Sequence, residues 1–552
     1  MILSMIFAPI VLFLIFRSCH LVANYIAANK YGLPIIVCPV SFEDPWWIVI
    51  RPLFSWVERL PFGLGNWYIY TTMGWPQEDN IRTVKRLGEN FVLCSPNSNI
   101  IVTCYPPAME RCYGEIKNWV RLEAQSRFLA FYGENVSSKD GAEWQRHRKI
   151  TSSAFNENTM HEVWKETATQ VNKIDFDKES VRTLGRIRTT FDIVAMGVLA
   201  SVGFGQDIDL ISVPPNHRES FMDSLGFILQ NIMITGIFHG LKAPDFLLPE
   251  KLRRLKVSVA EFRLHMQESV LRHIQSAKKS NQSKTTSLLE SMVKANEAEK
   301  NQLQHSTGRP SYLTESELYG NMFVFNAAGF ETTAGTMTFA LPFLAAHSEY
   351  QDWVTEEVDK YHDPESIDSN YAATYPKLVR TLAVMYETLR LTNPAPMLVR
   401  RSTKQTELPI ITPSGPSTLN VAPGTIVGGE FYGAHLSPLW GPEAEIFNPK
   451  RFVSVNESGE EKLVVPEGPI YCPWVFGPRV CPGKKFSQVE FVALVAQILS
   501  KYRVEAFRNE GESVKAAESR LMGVLDHKFF NISTHLKHPE DASIQLVRRQ
   551  QH

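Results

Sequence analysis

Residues 474–483 are the stretch that most constrains what this chain can fold into. They run Trp-Val-Phe-Gly-Pro-Arg-Val-Cys-Pro-Gly, and residues 484–500 carry apolar side chains at helical spacing. Because Pro482 suits the first position of a helix, we expect Cys481 to lie at a helix N-terminus, where free N–H groups and partial positive charge favour a thiolate. A thiolate held in this way suits haem iron. The alternative interpretation is a buried structural cysteine.

The composition of the 552-residue chain allows one large core. Hydrophobic residues make up 44% of the chain, and from residue 81 onward no change of composition marks a second domain. The formal net charge of −1 argues against a general nucleic-acid binder. The seven cysteines form no Cys-x-x-Cys pair, which predicts a reducing compartment. We expect residues 543–552 to be a frayed tail.

The N-terminus predicts attachment to a membrane. Residues 2–16 are uncharged and apolar, slightly short for a bilayer span, and continuing to residue 26 reaches that length with Arg17 as one snorkelling charge. Arg17 and Lys30 on the C-terminal side place the body of the protein in the cytosol. We therefore expect an anchor over residues 1–26, with a monotopic hairpin as the alternative. Residues 27–80, rich in Trp and Pro, predict a membrane-interface linker, unless they pack on the domain.

A basic helix opens at residue 141 and carries Trp144 and Arg148 four positions apart, hence on one face. An indole N–H beside a guanidinium makes a clamp for a carboxylate. Taken alone, the same pattern also describes a solvated helix face.

A second helix is expected from residue 315 to about 346, with Thr314 as its N-cap and Glu317 completing a capping box. Its middle reads Ala-Gly-Phe-Glu-Thr-Thr over residues 328–333, which is poor helix-forming sequence, and a Thr hydroxyl bonded to a carbonyl would bend it. A buried Glu331 is costly unless it handles protons or pairs. The alternative is a kinked core helix without chemistry.

A third helix ends near residue 391 and holds Glu387 and Arg390 three positions apart, where they can pair on one face. A strand through residues 397–400 follows and carries Arg400, and Arg451 lies in the later Phe-Asn-Pro-Lys-Arg-Phe loop.

The order and spacing of these segments resemble the cytochrome P-450 superfamily. Its haem-binding signature, F-x-x-G-x-R-x-C-x-G, is matched at Gly477, Arg479, Cys481 and Gly483. Trp474 stands where the family usually has phenylalanine and keeps a flat apolar side chain beside the sulfur. The other matching segments, in family order, are the Trp144-x-x-x-Arg148 helix, residues 328–333, the Glu387-x-x-Arg390 pair and residues 447–452.

The resemblance implies a mainly α fold with a small β-rich part, one catalytic domain over residues 81–552, and a haem b held by the Cys481 thiolate. Trp144 and Arg148 are implied to hold one haem propionate and Arg400 the other. The residues implied to bind the cofactor are thus Trp144, Arg148, Arg400, Gly477, Arg479 and Gly483.

The resemblance also implies the residues that act around the haem. Glu331 and Thr332 are implied to be the acid–alcohol pair that supplies protons for oxygen activation. Glu387, Arg390 and Arg451 are implied to form a structural network beneath the thiolate loop.

The implied activity is monooxygenation of a lipophilic small molecule, as in fungal secondary metabolism. No flavin-binding or Gly-rich phosphate loop is visible, so electrons are expected from NADPH through a membrane-bound cytochrome P-450 reductase. Arg146, Lys149, Lys484 and Lys485 are candidates for docking it. The implied location is the endoplasmic reticulum membrane, crossed once, with the catalytic domain in the cytosol.

Three alternatives stay open from sequence. A haem-thiolate isomerase, dehydratase or peroxygenase is disfavoured because such members often lose the acid–alcohol pair, which is present here. A haem-binding sensor without turnover and a membrane scaffold without haem belong to other classes of protein. The substrate pocket is expected from apolar or aromatic residues in three segments, namely residues 115–140, 325–330 and 395–399.

Overall fold

The structure is a computed structural model that describes residues 2–123, 128–174, 181–203, 205, 210–240, 243–279, 287–303, 311–366 and 371–550. Part of the predicted 115–140 pocket segment therefore lies outside the described residues. The chain forms two compact units. Unit 1 comprises residues 1–124, 395–445 and 466–480, and unit 2 comprises residues 125–394, 446–465 and 481–552. Each unit is assembled from three separate segments, and the single catalytic domain over residues 81–552 stays a prediction.

Helices dominate the described residues. The helices of unit 1 are α1 (Ile2–Asn29), α2 (Pro45–Ile50), α3 (Trp75–Asp79), α4 (Arg82–Leu87), α5 (Pro106–Gly114) and α17 (Phe431–His435). Those of unit 2 are α6 (Gly141–Ser152), α7 (Glu157–Lys173), α8 (Ile187–Val198), α9 (Phe221–Gln230), α10 (Ile232–Phe238), α11 (Glu250–Lys279), α12 (Leu288–Leu303), α13 (Glu315–Ala346), α14 (Ser348–Tyr361), α15 (Tyr371–Thr374), α16 (Val379–Leu391), α18 (Lys484–Leu499) and α19 (Val514–Asp526).

Strands are short and form separate sheets in the two units. The strands of unit 1 are β1 (Ile35–Val37), β2 (Asn90–Cys94), β3 (Asn99–Thr103), β4 (Trp119–Arg121), β6 (Met397–Ser402), β7 (Thr406–Thr412), β8 (Gly415–Val421) and β9 (Ile426–Glu430). Those of unit 2 are β5 (Val181–Leu184), β10 (Val453–Val455), β11 (Glu461–Leu463), β12 (Tyr502–Ala506), β13 (Lys528–Phe530), β14 (Thr534–Leu536) and β15 (Ile544–Arg548).

Unit 1 is built around a six-stranded mixed sheet in the order β1-β2-β3-β9-β6-β4. Its strands read as apolar runs, and every residue of β2 and β9 is buried. Residues 27–80, predicted to be a linker at the membrane interface, contribute β1 to this sheet and bury Trp47 and Trp75 in the core. Trp46 and Trp56 stay exposed, so only part of the aromatic segment packs on the unit.

Unit 2 is organised around two helices that are apolar on every side. Every residue of α18 from Gln488 to Leu499 is buried, whereas the helical spacing of apolar residues in the sequence indicated only one buried face. Helix α13 begins at the predicted capping box of Thr314 and Glu317 and is likewise buried along most of its length. A helix that is apolar all round must lie inside a protein or a membrane, and here neighbouring helices such as α7 and α8 cover them.

Two sequence expectations change in the structure. Residues 543–552 were expected to fray; this was wrong for residues 544–548, because β15 pairs with β12 on one side and β5 on the other. Its partners come from segments too distant for local pattern to reveal. Residues 551 and 552 lie outside the described residues. Arg17, expected to snorkel, instead donates a 3.0 Å hydrogen bond from Nη1 to Asp44 Oδ1.

Helix α1 contains the apolar stretch Ala8–Asn29, which is 22 residues long and holds an 18-residue window with a mean hydropathy of 1.8, so it is long and apolar enough to cross a bilayer. It extends three residues beyond the predicted anchor boundary at 26. Among the described residues, the pair α9 and α10 passes the same test only when taken together, and the two are bent by 85°.

Candidate active site

Cys481 lies just before α18 in unit 2, and its side chain is accessible to solvent. The helix begins at Lys484 with Gly483 as its N-cap, so Pro482 is in the preceding turn rather than at the first helical position. Although Cys481 is an exposed residue, desolvation by the surrounding protein raises the pKa of its thiol, while a hydrogen bond from the Gly483 N–H and the charges of Arg148 and Lys484 act to lower it. Gly483, Arg148 and Lys484 therefore favour the thiolate, but desolvation has the larger effect and favours the protonated thiol. Binding to a metal would have to displace that proton.

The first half of the signature loop belongs to unit 1. Gly477 has φ of +71°, and a Cβ there would lie 3.0 Å from the carbonyl oxygen of Tyr113, so the close approach of these two segments requires glycine. Arg479, two residues on, is buried. Trp474 is half-buried in the same loop.

Arg400 also belongs to unit 1, on β6, and is buried with 4% of its surface exposed. Its Nη1 donates to the Val399 carbonyl oxygen at 3.0 Å, and its guanidinium lies 4.8 Å from the ring centroid of Tyr113. The Tyr113 hydroxyl in turn donates to the Leu398 carbonyl oxygen at 2.6 Å. These contacts hold a buried positive charge at one strand of the sheet.

Trp144 and Arg148 lie on one face of α6, as the four-residue spacing predicted. Trp144 is buried and Arg148 is half-buried. Burial lowers the pKa of Arg148, and the Cys481 sulfur opposes that shift, so the two groups lie within electrostatic reach of each other. Among the described residues the Arg148 guanidinium has no hydrogen-bond or ion-pair partner, which leaves its planar donors available to a carboxylate.

One strip of α13 is open although the helix is otherwise buried. Every residue from Leu318 to Ala345 is buried except Ala328, Gly329 and Thr332, which share one face. The Thr332 hydroxyl donates to the Ala328 carbonyl oxygen at 2.7 Å, the contact expected from sequence. A narrow apolar strip with one hydroxyl therefore faces accessible space in the middle of the helix.

Phe155, in the turn after α6, contacts α13 and lies near the cysteine loop. Its ring meets that of Phe325 on α13 edge to face, with centroids 5.6 Å apart. A Cβ built at Gly483 would lie 4.0 Å from its Cε1 and 3.9 Å from Cys481 Sγ. Cys481, α6 and the middle of α13 are thus neighbours within unit 2.

Glu331 points away from Thr332 into a buried ionic cluster. Its Oε1 lies 3.0 Å from Arg188 Nη2 on α8 and 2.8 Å from His535 Nε2 on β14, and accepts a 3.0 Å hydrogen bond from Ser533 Oγ. Burial acts to raise the pKa of Glu331, but His535, Arg188 and Ser533 together lower it to about 2. The side chains of the predicted acid–alcohol pair therefore have different partners, since adjacent helical residues project about 100° apart.

The Glu331 cluster borders a surface cleft of about 220 Å³. Its lining residues are Arg188, Thr338, Phe339, Phe529, Thr534, His535, Leu536, Lys537 and Pro539. His535 and Arg188 both line the cleft and contact the buried carboxylate. Sequence reasoning missed these partners, because nothing near them in the chain marks them.

The Glu387, Arg390 and Arg451 side chains meet in unit 2. Arg390 donates to both carboxylate oxygens of Glu387, from Nε to Oε2 at 2.7 Å and from Nη2 to Oε1 at 2.8 Å. Arg451 Nε and the Asn448 backbone N–H donate to Glu387 Oε1 at 3.1 and 2.8 Å. The loop of residues 446–452 is thereby fixed to α16.

Arg146, a candidate for docking a reductase, is engaged inside unit 2. Its Nη1 donates to Glu317 Oε2 at 2.9 Å and to the Tyr312 carbonyl oxygen at 2.6 Å. Glu317 is also the capping residue of α13, so this pair joins α6 to the start of that helix. Lys149, by contrast, is 65% exposed and pairs with Glu299 at the surface.

Comparison with known proteins defines the class to which this fold and site belong. The model of the cytochrome P450 family matches residues 64–528. The chain belongs to this family, whose members hold haem through a cysteine thiolate and take electrons from a redox partner. It is an oxidoreductase of the haem-thiolate monooxygenase class.

Two fungal relatives match over nearly their whole length and a mammalian relative over about three quarters of it, all at low identity. A phomenoic acid biosynthesis cluster cytochrome P-450 monooxygenase of Leptosphaeria maculans is 26% identical, with 93% of each chain covered. The cytochrome P-450 monooxygenase ORF6 of Penicillium roqueforti is 24% identical over 94% of this chain and 93% of its own. Rat cytochrome P-450 3A2 is 25% identical over 71% of this chain and 74% of its own.

The residues of unit 2 suit a haem group. The Cys481 thiol is accessible, whereas five of the other six cysteines are buried. The Arg148 guanidinium near it has no partner among the described residues, as a group awaiting a propionate would. Both observations describe side chains of this chain that could bind iron or a carboxylate, and neither depends on the family match.

Proposed function

We propose that this enzyme inserts one oxygen atom from dioxygen into a lipophilic small molecule in fungal secondary metabolism, by hydroxylation or epoxidation. The observation that carries the proposal is the accessible Cys481 thiol beside Arg148, in a chain of this family. The apolar strip of Ala328 and Gly329 favours a substrate with little polar surface. The relative from a phomenoic acid biosynthesis cluster supports the metabolic setting.

In this proposal the Cys481 thiolate would hold the haem iron, and its place just before α18 would position it. Arg148 and Trp144 bind one propionate of haem b, with Arg148 supplying two parallel donors to the carboxylate. Arg400, Gly477 and Arg479, which lie in unit 1, stay predictions of the family resemblance as cofactor-binding residues, and Gly483 in unit 2 is proposed to let the backbone approach the sulfur closely. When bound, the haem supplies dioxygen activation, in which one oxygen atom enters the substrate and the other leaves as water.

Thr332 and Glu331 are proposed to move the protons that this reaction consumes. Thr332 presents its hydroxyl on the open strip of α13, where it can hold a water molecule by hydrogen bonding. Glu331 is a carboxylate at neutral pH, because its pKa is about 2, so it holds no stored proton of its own. His535, between the cleft and Glu331, is the group through which protons reach the carboxylate.

Electrons are proposed to come from NADPH through a cytochrome P-450 reductase. The family requires a redox partner, and this chain shows no flavin-binding sequence. Among the candidate docking residues, Arg146 is engaged in hydrogen bonds to Glu317 inside unit 2, whereas Lys149 is exposed.

Helix α1 is proposed to anchor the protein in the endoplasmic reticulum membrane, crossing it once with the rest of the chain in the cytosol. Its side chains from Ala8 onward are mostly exposed, and its composition suits a bilayer span. Exposed Trp46, Leu53 and Phe62 lie in the segment that follows and suit the interface. Deleting residues 2–20 should shift the protein from the membrane fraction to the soluble fraction; full retention on the membrane would leave the anchor to the later segment.

The proposed function is tested by reconstituting the full chain with a fungal reductase, NADPH and a panel of terpenoids, polyketides and fatty acids. The expected result is an oxidised product that incorporates one atom of labelled dioxygen and requires NADPH. Product formation without dioxygen would favour an isomerase or dehydratase, and ligand binding without any turnover would favour a haem sensor.

A further inference from the structure

Two histidines and two glutamates meet in unit 2 outside the site described above. Glu261, His265 and Glu268 lie on α11 at spacings of four and three residues, hence on one face of the helix. His217 approaches this face from the segment that precedes α9. His217 and Glu261 have only 2% and 7% of their side chains exposed, and His265 is buried as well.

The donor atoms of this cluster are close enough to share one ion. One nitrogen of each imidazole and one oxygen of Glu261 lie within 4.8 Å of one another. His217 Nδ1 is 3.1 Å from Glu261 Oε2, and its Nε2 is 3.3 Å from Glu268 Oε1. Two ligands about 2.1 Å from a tetrahedral zinc ion are roughly 3.4 Å apart, so the His217–Glu261 spacing needs little change.

The environment leaves His265 able to act as a ligand. Its Nε2 lies 3.2 Å from the Glu219 carbonyl oxygen, which can only accept, so Nε2 carries the proton and Nδ1 has the free lone pair. A carbonyl that orients the imidazole from behind is the usual support of a metal-bound histidine.

The two rings are stacked, with centroids 3.9 Å apart and planes at 13°. Stacked rings direct their lone pairs in parallel, so one ring must tilt before both can bind one ion. Phe221 meets His265 edge to face at 5.7 Å and leaves the other face to His217.

From these contacts we propose that His217, Glu261 and His265 bind a divalent transition metal, with Zn²⁺ as the probe. Two imidazoles with carboxylates form a donor set typical of zinc. The ion joins the segment before α9 to α11 and stabilises that contact. This site is independent of the haem and of the proposed reaction.

The test is zinc titration of the untagged, full-length holoprotein by calorimetry. The wild type should bind one Zn²⁺, and H265Q and E261Q should bind it at least about 100-fold more weakly. H538A is the matched control, because His538, Glu540 and Asp541 form a similar but fully exposed group, and its affinity should equal that of the wild type.

Two further measurements separate lost ligation from lost folding. The carbon monoxide spectrum of each variant should match the wild type, which reports an intact haem protein. Zinc should raise the melting temperature of the wild type and H538A but not of H265Q, and zinc-edge X-ray absorption should show two imidazole ligands. Absence of binding in the wild type, or equal binding by H265Q, would overturn the proposal and leave His217 as a base held by two carboxylates.

Discussion

Arg390 and Glu387 are joined by two parallel hydrogen bonds, and neither side chain is exposed to solvent. The pair sits one turn apart on α16 and receives Arg451 from the 446–452 segment. A buried charge that loses its partner keeps its desolvation cost without the compensating attraction. This geometry makes Glu387 a sensitive position for folding.

Replacing Glu387 by glutamine should therefore destabilise the protein by about 3–5 kcal/mol, because two guanidinium groups lose their counter-charge. The free energy of unfolding from denaturant titration measures this. Glu356→Gln is the control, since Glu356 pairs with Arg380 but is 73% exposed, and its loss should cost about 0–1 kcal/mol. Equal effects in the two variants would contradict a buried network.

Cys481→Ala should abolish the red-shifted Soret band that a haem-thiolate protein gives with carbon monoxide after reduction. The thiolate is the proposed ligand, and alanine offers iron no donor atom. Cys19→Ser, at the other exposed cysteine, should leave the band unchanged. A Cys481→Ala protein that keeps the band would refute the ligand assignment.

Arg148→Ala should lower the amount of haem retained per polypeptide after gel filtration by about 10-fold, because a charge-assisted hydrogen bond to a propionate contributes about 1.5–3 kcal/mol. Haem and protein concentrations are measured on the same fractions. Lys149→Ala removes the neighbouring charge from the exposed face of α6 and should retain haem like the wild type. Arg148→Lys should fall between the two, since lysine keeps the charge without the planar fork.

Thr332→Ala should divert electrons to hydrogen peroxide while haem content stays normal, because the hydroxyl that directs a proton is gone. The ratio of peroxide formed to NADPH consumed should rise several-fold. Thr167→Ala is the control, because Thr167 makes the same side-chain hydrogen bond to a carbonyl four residues earlier, on α7. Unchanged coupling in Thr332→Ala would argue against proton delivery.

Glu331 should contribute to stability in a pH-dependent way. Its folded-state pKa of about 2 lies below the ordinary value of 4.5, so the carboxylate form is stabilised by folding. Its contribution, about 3 kcal/mol, is complete above pH 4.5 and is lost as the pH falls from 4.5 towards 2. Glu331→Gln should therefore be less stable than the wild type at pH 7, with the difference shrinking on acidification; a difference that stays constant with pH would contradict this.

The elements near the site follow from local sequence. The capping box of Thr314 and Glu317 begins α13 where predicted, because both side chains act within one turn. The spacing of Glu387 and Arg390 placed them on one helical face for the same reason. The frayed tail was a wrong prediction for residues 544–548, since β15 depends on β5 and β12, and pairing between distant strands leaves little local trace.

By itself, the sequence determined the cysteine loop, the family, and the helices that carry Trp144, Arg148 and Thr332, because these depend on residue spacings shorter than about ten positions. The tertiary structure alone decided where Glu331 points. Ser533, which lies 202 residues after Glu331, joins Arg188 and His535 around its carboxylate. A buried charge takes whichever counter-charges the packing brings to it, and that choice is made by contacts between remote segments rather than by neighbours in the chain.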